Sequence, residues 1–198
     1  MIVVDGEYSG LDPYKHAILS IGAVDFLNPE NRFYGECRVF EGAEIDDGAL
    51  LVNGFTKEQA LDPKAKSLEE MMKEFLAWVA PIEDRTIAGQ NVYLDRDMLD
   101  MAARRCKIPW LGGKRIVDLH AVCYASHLKK GQALQLEDKL SPLSLDLILK
   151  YVGVPEEPKP HNALTGALLE TEAFGRLIYG RAWLPEYEKH ALPDYLLA

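Results

Sequence analysis

The stretch MIVVDGE, residues 1–7, decides the fold class because it predicts the first strand of a sheet. Four apolar residues lead into two acids, which is typical of a buried β-strand. Two more strands are predicted at HAILSIGAVDF (16–26) and RFYGECRVF (32–40), with the turn signal LNPEN (27–31) between them. Three successive strands therefore open the predicted sheet.

Strand and helix patterns alternate farther along the chain. The clearest helix is SLEEMMKEFLAWVAP (67–81), where Ser67 caps the first turn, Glu70 completes a capping box and Pro81 ends the helix. Further strands are predicted at TIAG (86–89) and RIVDL (115–119), and helices at DRDMLDMAARR (95–105), SLDLILKYVGV (144–154) and ALTGALLETEAFGRLIYG (163–180). This order predicts an α/β domain with a mixed sheet.

The composition limits the functional classes. A chain of 198 residues predicts one compact domain, and no apolar run approaches the length of a membrane span. We expect no signal peptide, and three cysteines without metal-type spacing favour free thiols in a cytoplasmic protein. A net charge of −9 argues against a broad basic surface for long duplexes. Cations held in a site would still allow short nucleic acids to bind.

Two acids at the end of the first strand form the first candidate site. Asp5 and Glu7 are one residue apart, and alternate side chains of a strand project to the same face. Their like charges repel each other, a divalent cation relieves the repulsion, and carboxylate oxygens suit Mg²⁺ or Mn²⁺. The alternative is a solvated strand edge, which is the commoner origin of such a pair.

Three other polar residues are candidates with simpler alternatives. Asp95 begins a predicted helix, where it either binds a cation or only caps the helix. Asn91 either binds a sugar or phosphate oxygen or closes a turn. His161 precedes the last helix, and histidine suits proton transfer near neutral pH, although a lone histidine there is usually a surface or capping group.

The order of these segments resembles the three motifs of the DnaQ-like, DEDDh-type 3′–5′ exonucleases, which have a ribonuclease H-like fold. VVDGEYSGLDP (3–13), GQNVYLDRDML (89–99) and HNALTGA (161–167) are similar to the first, second and third motifs. Weaker similarities occur at ILSIGAV, VNGFTKE and LSLDLILKYVGV. The resemblance covers roughly residues 1–180 and implies a mixed five-stranded sheet flanked by helices.

The resemblance also implies roles for the motif residues. Two Mg²⁺ or Mn²⁺ ions would be held, with Asp5 bridging both, Glu7 binding the first and Asp95 completing the set directly or through water. His161 would take the proton of the attacking water. Leu11 would wedge against the terminal base, and Tyr8 would either stack on that base or pack internally. The predicted substrate contacts are Tyr8, Ser9, Gly10, Leu11 and Asn91.

Gly166 departs from the family pattern, because that family has its last metal-binding aspartate here. A glycine inside a helix also costs about 0.5–1 kcal/mol relative to alanine. Three explanations are open: natural loss of activity, an active enzyme altered at this position, or substitution by another acid. Glu170 is the nearest such acid, but it lies about 6 Å further along the helix axis, so this explanation ranks last. We therefore expect impaired activity, which Gly166→Asp would raise by orders of magnitude.

The predicted function is a metal-dependent 3′–5′ exonuclease that releases nucleoside monophosphates from single-stranded DNA or RNA, including short oligonucleotides. One alternative is a non-catalytic module that binds nucleic acid or protein, and another is an unrelated α/β domain with coincident acids. Residues 1–180 are predicted to form the exonuclease domain, and 181–198 a tail packed on the domain or on a partner. A homodimer is one expected assembly, and no membrane association is expected.

Overall fold

A computed structural model describes residues 1–197, and a five-stranded sheet lies at the centre of the fold. The strands are β1 (Ile2–Tyr8), β2 (Ile18–Asp25), β3 (Arg32–Glu36), β4 (Ile87–Gly89) and β5 (Ile116–Asp118). Their order is β3-β2-β1-β4-β5. The β1–β2 and β2–β3 pairs are antiparallel, whereas the β1–β4 and β4–β5 pairs are parallel. The predicted mixed sheet is confirmed.

Helices cover both faces of the sheet. They are α1 (Asp47–Asn53), α2 (Lys57–Leu61), α3 (Leu68–Val79), α4 (Tyr93–Arg105), α5 (Leu119–Lys129), α6 (Leu145–Val152) and α7 (Ala163–Tyr179). The sequence patterns did not predict α1, α2 or α5. The third predicted strand ends earlier than expected, because Arg38 and Val39 donate backbone hydrogen bonds to the carbonyls of Lys66 and Ala60 after the chain leaves β2.

The predicted capping box of α3 is present. The Ser67 side chain accepts from the Glu70 backbone amide, and the Glu70 carboxylate accepts from the Ser67 amide, which satisfies two amides at the helix start. Met71, Phe75 and Val79 are buried on one face of this helix. Helix α3 therefore covers the part of the sheet that includes β3.

Helix α7 lies directly on the sheet beside the end of β1. At Gly22 of β2, an added Cβ would come within 2.1 Å of the carbonyl oxygen of Ala163, so only glycine permits this approach. Gly22 pairs with Asp5 in the β1–β2 register. The close approach thus brings the first turns of α7, including Gly166, against Asp5.

The segment after α7 packs on the domain through Arg176. This arginine is fully buried, and its Nε donates to Glu172 Oε1 at 2.5 Å. Its Nη2 donates to the backbone carbonyls of Tyr187 and His190. Trp183 stacks on Phe26 with a ring separation of 4.8 Å. Within residues 1–197, no helix has the length and apolar character needed to cross a bilayer.

Candidate active site

Asp5, Glu7, Asp95 and His161 come together at one end of the sheet. Asp5 and Glu7 lie on β1, and Asp95 lies in the first turn of α4. These three acids line one cleft of about 510 Å³. His161 precedes α7 and offers a ring nitrogen within 4.8 Å of a Glu7 carboxylate oxygen. Residues remote in the sequence therefore share one site, as the motif order predicted, while their individual roles stay predictions.

Burial raises the pKa values of the three acids, and the charges of neighbouring carboxylates raise them further. Burial raises the pKa of Asp5 well above its usual value, and the charges of Asp95 and Glu7 raise it further. Burial and the nearby Glu157 raise the pKa of Glu7 to about 8. Burial raises the pKa of Asp95 to about 7, against the lowering effect of a hydrogen bond from Tyr8. The site thus concentrates more negative charge than its surroundings neutralise.

Asp95 is held by a buried tyrosine. The Tyr8 hydroxyl donates to Asp95 Oδ1 at 2.5 Å, and the Tyr8 carbonyl accepts from Asn53 Nδ2 at 3.1 Å. The alternative role of Asp95 as a helix cap is wrong, because Val92 occupies the cap position. Tyr8 therefore fixes a candidate ligand, and its buried ring lies in the wall of the cleft instead of standing free in it.

The predicted substrate contacts divide into two groups. Leu11, which is 73% exposed, and Asn91 line the cleft and are available to a ligand. Ser9 and Gly10 do not line this cleft. The Ser9 side chain is fully buried, donates to the Glu44 carbonyl and accepts from an amide in the same loop. An added Cβ on Gly10 would lie 2.3 Å from the His16 ring, so this glycine packs inside the loop.

Two further buried acids face the same cluster. Glu170 of α7 accepts from the Gln90 amide through Oε1 at 3.1 Å, and its Oε2 has no hydrogen-bond partner. Burial and the charges of Asp5 and Asp95 raise the pKa of Glu170 well above its usual value. Glu157, in the loop between α6 and α7, lies beside Glu7 and His161.

Sequence reasoning missed Glu157. The residue carries no motif signal in PEEPKPH (155–161), and its position four residues before His161 was the available clue. Like Glu170, it has a buried carboxylate oxygen without a hydrogen-bond partner, in this case Oε1. Buried, unpaired carboxylate oxygens are costly for a protein, and a divalent cation satisfies them with the hard oxygen ligands it prefers. The donor set therefore fits Mg²⁺ or Mn²⁺.

Sequence comparisons find distant relatives among characterised nucleic-acid enzymes. No protein-family model matches the chain. The chain is 28% identical over 177 residues to the PolC-type DNA polymerase III of Thermotoga maritima, which covers 89% of this chain and 12% of that protein. It is 25% identical over 119 residues to ribonuclease T of Pectobacterium atrosepticum, covering 54% of this chain and 53% of that protein. The chain thus spans an eighth to a half of these relatives.

Solved structures share the fold. Exonuclease I superposes with a TM-score of 0.73 at 18% identity, over 91% of this chain and 40% of that one. E. coli exonuclease I in complex with a dT13 oligonucleotide gives 0.71 at 17% identity, over 88% and 40%. The nuclease domain of 3′hExo, a DEDDh family member bound to rAMP, gives 0.68 at 15% identity, over 92% and 93%. The ribonuclease H-like fold and the resemblance predicted from the motifs are confirmed. The effect of Gly166 stays a prediction.

Proposed function

We propose that this chain is a metal-dependent 3′–5′ exonuclease that removes nucleoside monophosphates from single-stranded DNA or RNA. The observation that carries the proposal is the convergence of Asp5, Glu7 and Asp95 at an open cleft, with a His161 ring nitrogen within 4.8 Å of a Glu7 oxygen. The fold that surrounds this cleft is the one found in exonuclease I and in a DEDDh nuclease domain. Acids at a cleft are chemically unsuited to bind phosphate by themselves, so the proposal includes cations.

Two Mg²⁺ or Mn²⁺ ions are the proposed cofactors, with Asp5, Glu7 and Asp95 as their ligands. When bound, such ions neutralise the scissile phosphate and assist attack by water and departure of the 3′-oxygen. The Tyr8 hydroxyl fixes the Asp95 carboxylate through its 2.5 Å hydrogen bond. Without cations, the buried carboxylates place excess negative charge in the site. Bound cations would neutralise this charge, which explains why so many acids are buried together.

His161 is the proposed acceptor of the proton from the attacking water. Its Nδ1 faces Glu157 Oε2 at 3.5 Å, so Nε2 is the ring nitrogen directed away from that acid. The His161 backbone amide donates to the Val52 carbonyl at 3.2 Å, which fixes the start of α7 against α1. This contact couples the position of the histidine to the wall of the cleft.

The apolar wall of the cleft is suited to the terminal base. Leu11 is 73% exposed and Val52 52% exposed, and both line the cleft above the acids. A structural neighbour was crystallised with a dT13 oligonucleotide and another with rAMP, so both DNA and RNA are reasonable substrates to test.

The proposal also places the protein in the cytoplasm, in agreement with its free cysteines. A homodimer stays a prediction, which light scattering would test by measuring the mass of the protein in solution.

The test is shortening of 5′-labelled single-stranded DNA and RNA oligonucleotides, with Mn²⁺, with Mg²⁺ and with EDTA. We expect a ladder of labelled products, each shorter by one nucleotide at the 3′ end, with nucleoside monophosphate released. No reaction is expected in EDTA. Asp95→Asn should lower the rate by orders of magnitude, since it removes a proposed ligand. Asp97→Asn is the matched control, because Asp97 lies on the same helix and its side chain is 47% exposed.

Two results would overturn the proposal. One is an oligonucleotide that binds with Mn²⁺ present but is not shortened by the chain or by any of its variants, which would favour the non-catalytic module. The other is shortening that Asp95→Asn and Asp97→Asn leave equally fast, because the reaction would then come from elsewhere.

A further inference from the structure

Glu157 is a buried acid that none of the three motifs contains. It lies in the loop 153–162 between α6 and α7, and only 5% of its side-chain surface is exposed. One carboxylate oxygen, Oε2, is 3.5 Å from His161 Nδ1. The other, Oε1, is buried and has no hydrogen-bond partner. An unpaired buried carboxylate oxygen is destabilising unless something binds it.

The unpaired oxygen is directed at the space beside Gly166. A Cβ on residue 166 would lie 2.0 Å from Asp5 Oδ2 and 3.4 Å from Glu157 Oε1. The two carboxylate oxygens therefore flank one point, next to the helix position that carries no side chain. A side chain at position 166 would displace the Asp5 carboxylate from its present position and would contact Glu157.

Glu157 also belongs to a compact group of donor atoms. One oxygen of Glu7, one oxygen of Glu157 and a ring nitrogen of His161 all lie within 4.8 Å of one another. The spacing of the two carboxylate oxygens suits ligands of one ion, since cation–oxygen bonds of about 2.0–2.6 Å place ligand atoms a few ångströms apart. His161, the proposed proton acceptor, lies beside these two oxygens. The loop is fixed in this position, because Pro160 packs against Gly54 and the His161 amide bonds to Val52.

We propose that Glu157 is a carboxylate ligand of the divalent cation bound by Asp5 and Glu7, and that it takes the place of a side chain at position 166. This inference rests on the proposed function only in so far as that function requires a cation at this site. Glu170 is the rival acid, but one of its oxygens is engaged by the Gln90 amide and the residue lies beneath β4, 2% exposed. Its free oxygen is 3.0 Å from where a Cβ of Gly89 would lie.

The test is a Mn²⁺ titration of the full chain by isothermal calorimetry. Glu157→Gln keeps the size of the side chain and removes its charge, and we expect its Mn²⁺ affinity to fall about tenfold or more. Glu156→Gln is the matched control, because Glu156 is the adjacent residue and is exposed. Its affinity should equal that of the unaltered chain, and Glu170→Gln should weaken binding less than Glu157→Gln does.

Thermal unfolding separates a ligand from a merely structural residue. In EDTA, Glu157→Gln should melt no lower than the unaltered chain, because it removes one charge from a repelling cluster. With Mn²⁺ added, the rise in melting temperature should be smaller for this variant, because the cation binds less tightly. A structural residue would instead lower the melting temperature equally in both conditions. If Glu157→Gln does not fold, Glu157→Asp, which withdraws the carboxylate by one methylene, should give a partial loss of affinity.

The outcomes distinguish this inference from the proposed function. Unchanged Mn²⁺ affinity in Glu157→Gln, with binding lost in Asp5→Asn, overturns the role of Glu157 and leaves the exonuclease proposal intact. The same holds if Glu170→Gln is the variant that loses binding. Weakened Mn²⁺ binding in Glu157→Gln, in a chain that shortens no oligonucleotide, supports the ligand and overturns the exonuclease. Absence of Mn²⁺ binding by the unaltered chain overturns both.

Discussion

Gly166→Ala adds one methyl group against the buried carboxylate of Asp5, and the structure gives the size of the disturbance. The new Cβ would lie 2.0 Å from Asp5 Oδ2 and 2.9 Å from Asp5 Cγ. Ordinary contact begins at 3.4 Å, so the Asp5 oxygen must move by about 1.4 Å. Glu157 Oε1 would lie 3.4 Å from the same Cβ, which is ordinary van der Waals contact, so the displacement falls on Asp5.

Two effects on stability oppose each other in this variant. Alanine improves helix propensity by about 0.5–1 kcal/mol, whereas forcing an extra methyl into a packed site typically costs about 1–3 kcal/mol. We therefore expect a net loss of about 1 kcal/mol in the free energy of unfolding. The effect on catalysis should be larger, because displacement of a positioning group by about 1 Å can lower a rate on the order of 100-fold.

Urea unfolding and the rate of oligonucleotide shortening measure these effects. Thr165→Ala, at the preceding and half-buried position of the same turn, is the control for altering this helix. A Gly166→Ala variant that is more stable than the unaltered chain and equally active would show that Gly166 only lowers helix propensity and has no role in the site. The same distances predict that Gly166→Asp will not raise activity, although the family pattern alone predicts that it will.

Three other perturbations have definite expected outcomes. Tyr8→Phe removes the hydroxyl that holds Asp95, so Mn²⁺ affinity and the shortening rate should fall by about 10–100-fold, which calorimetry and the oligonucleotide assay would detect. In EDTA, the free energy of unfolding should decrease as pH rises from 5 to 8. The pKa values of Glu7 and Asp95 are raised to about 8 and about 7 in the folded chain, so the unfolded chain loses these protons first. Urea unfolding at several pH values checks the sign, and stability that increases over this range contradicts it. Arg176→Met should lower the free energy of unfolding by about 3–5 kcal/mol, because it leaves Glu172 charged and unpaired in the interior. The exposed Arg104→Met is its control, and equal losses would exclude a special role for the buried pair.

The order of the sheet and its main helices could be predicted from local patterns. The run of β1 is apolar because both faces of this central strand are covered, and the capping box of α3 fixes where that helix begins. Helix α1 has seven residues, too few to show two turns of periodicity, and it is stabilised by the burial of Leu50 in a small separate core. Tertiary packing, which no local pattern contains, decides such short helices.

The same distinction separates the predicted site residues. Asp5 and Glu7 could be predicted because strand alternation places them on one face. That rule stops at the end of the strand, where the β1–β2 register shifts between Glu7 and Tyr8. Beyond this point the loop contacts decide the directions of the side chains, so Ser9 and Gly10 turn inward while Leu11 projects into the cleft.

Glu157 could not be predicted because nothing in its local sequence determines where its carboxylate lies. It is outside any helix or strand, between prolines 155 and 158, so neither helical nor strand periodicity applies. Its position follows from the packing of the loop on α1 and from the absence of a side chain at Gly166. A sequence motif specifies which helix position usually carries an acid. Cation binding depends instead on the positions of the carboxylate oxygens in the folded protein. An acid from a neighbouring loop can therefore satisfy the same charge requirement, provided that the helix position beside it stays empty.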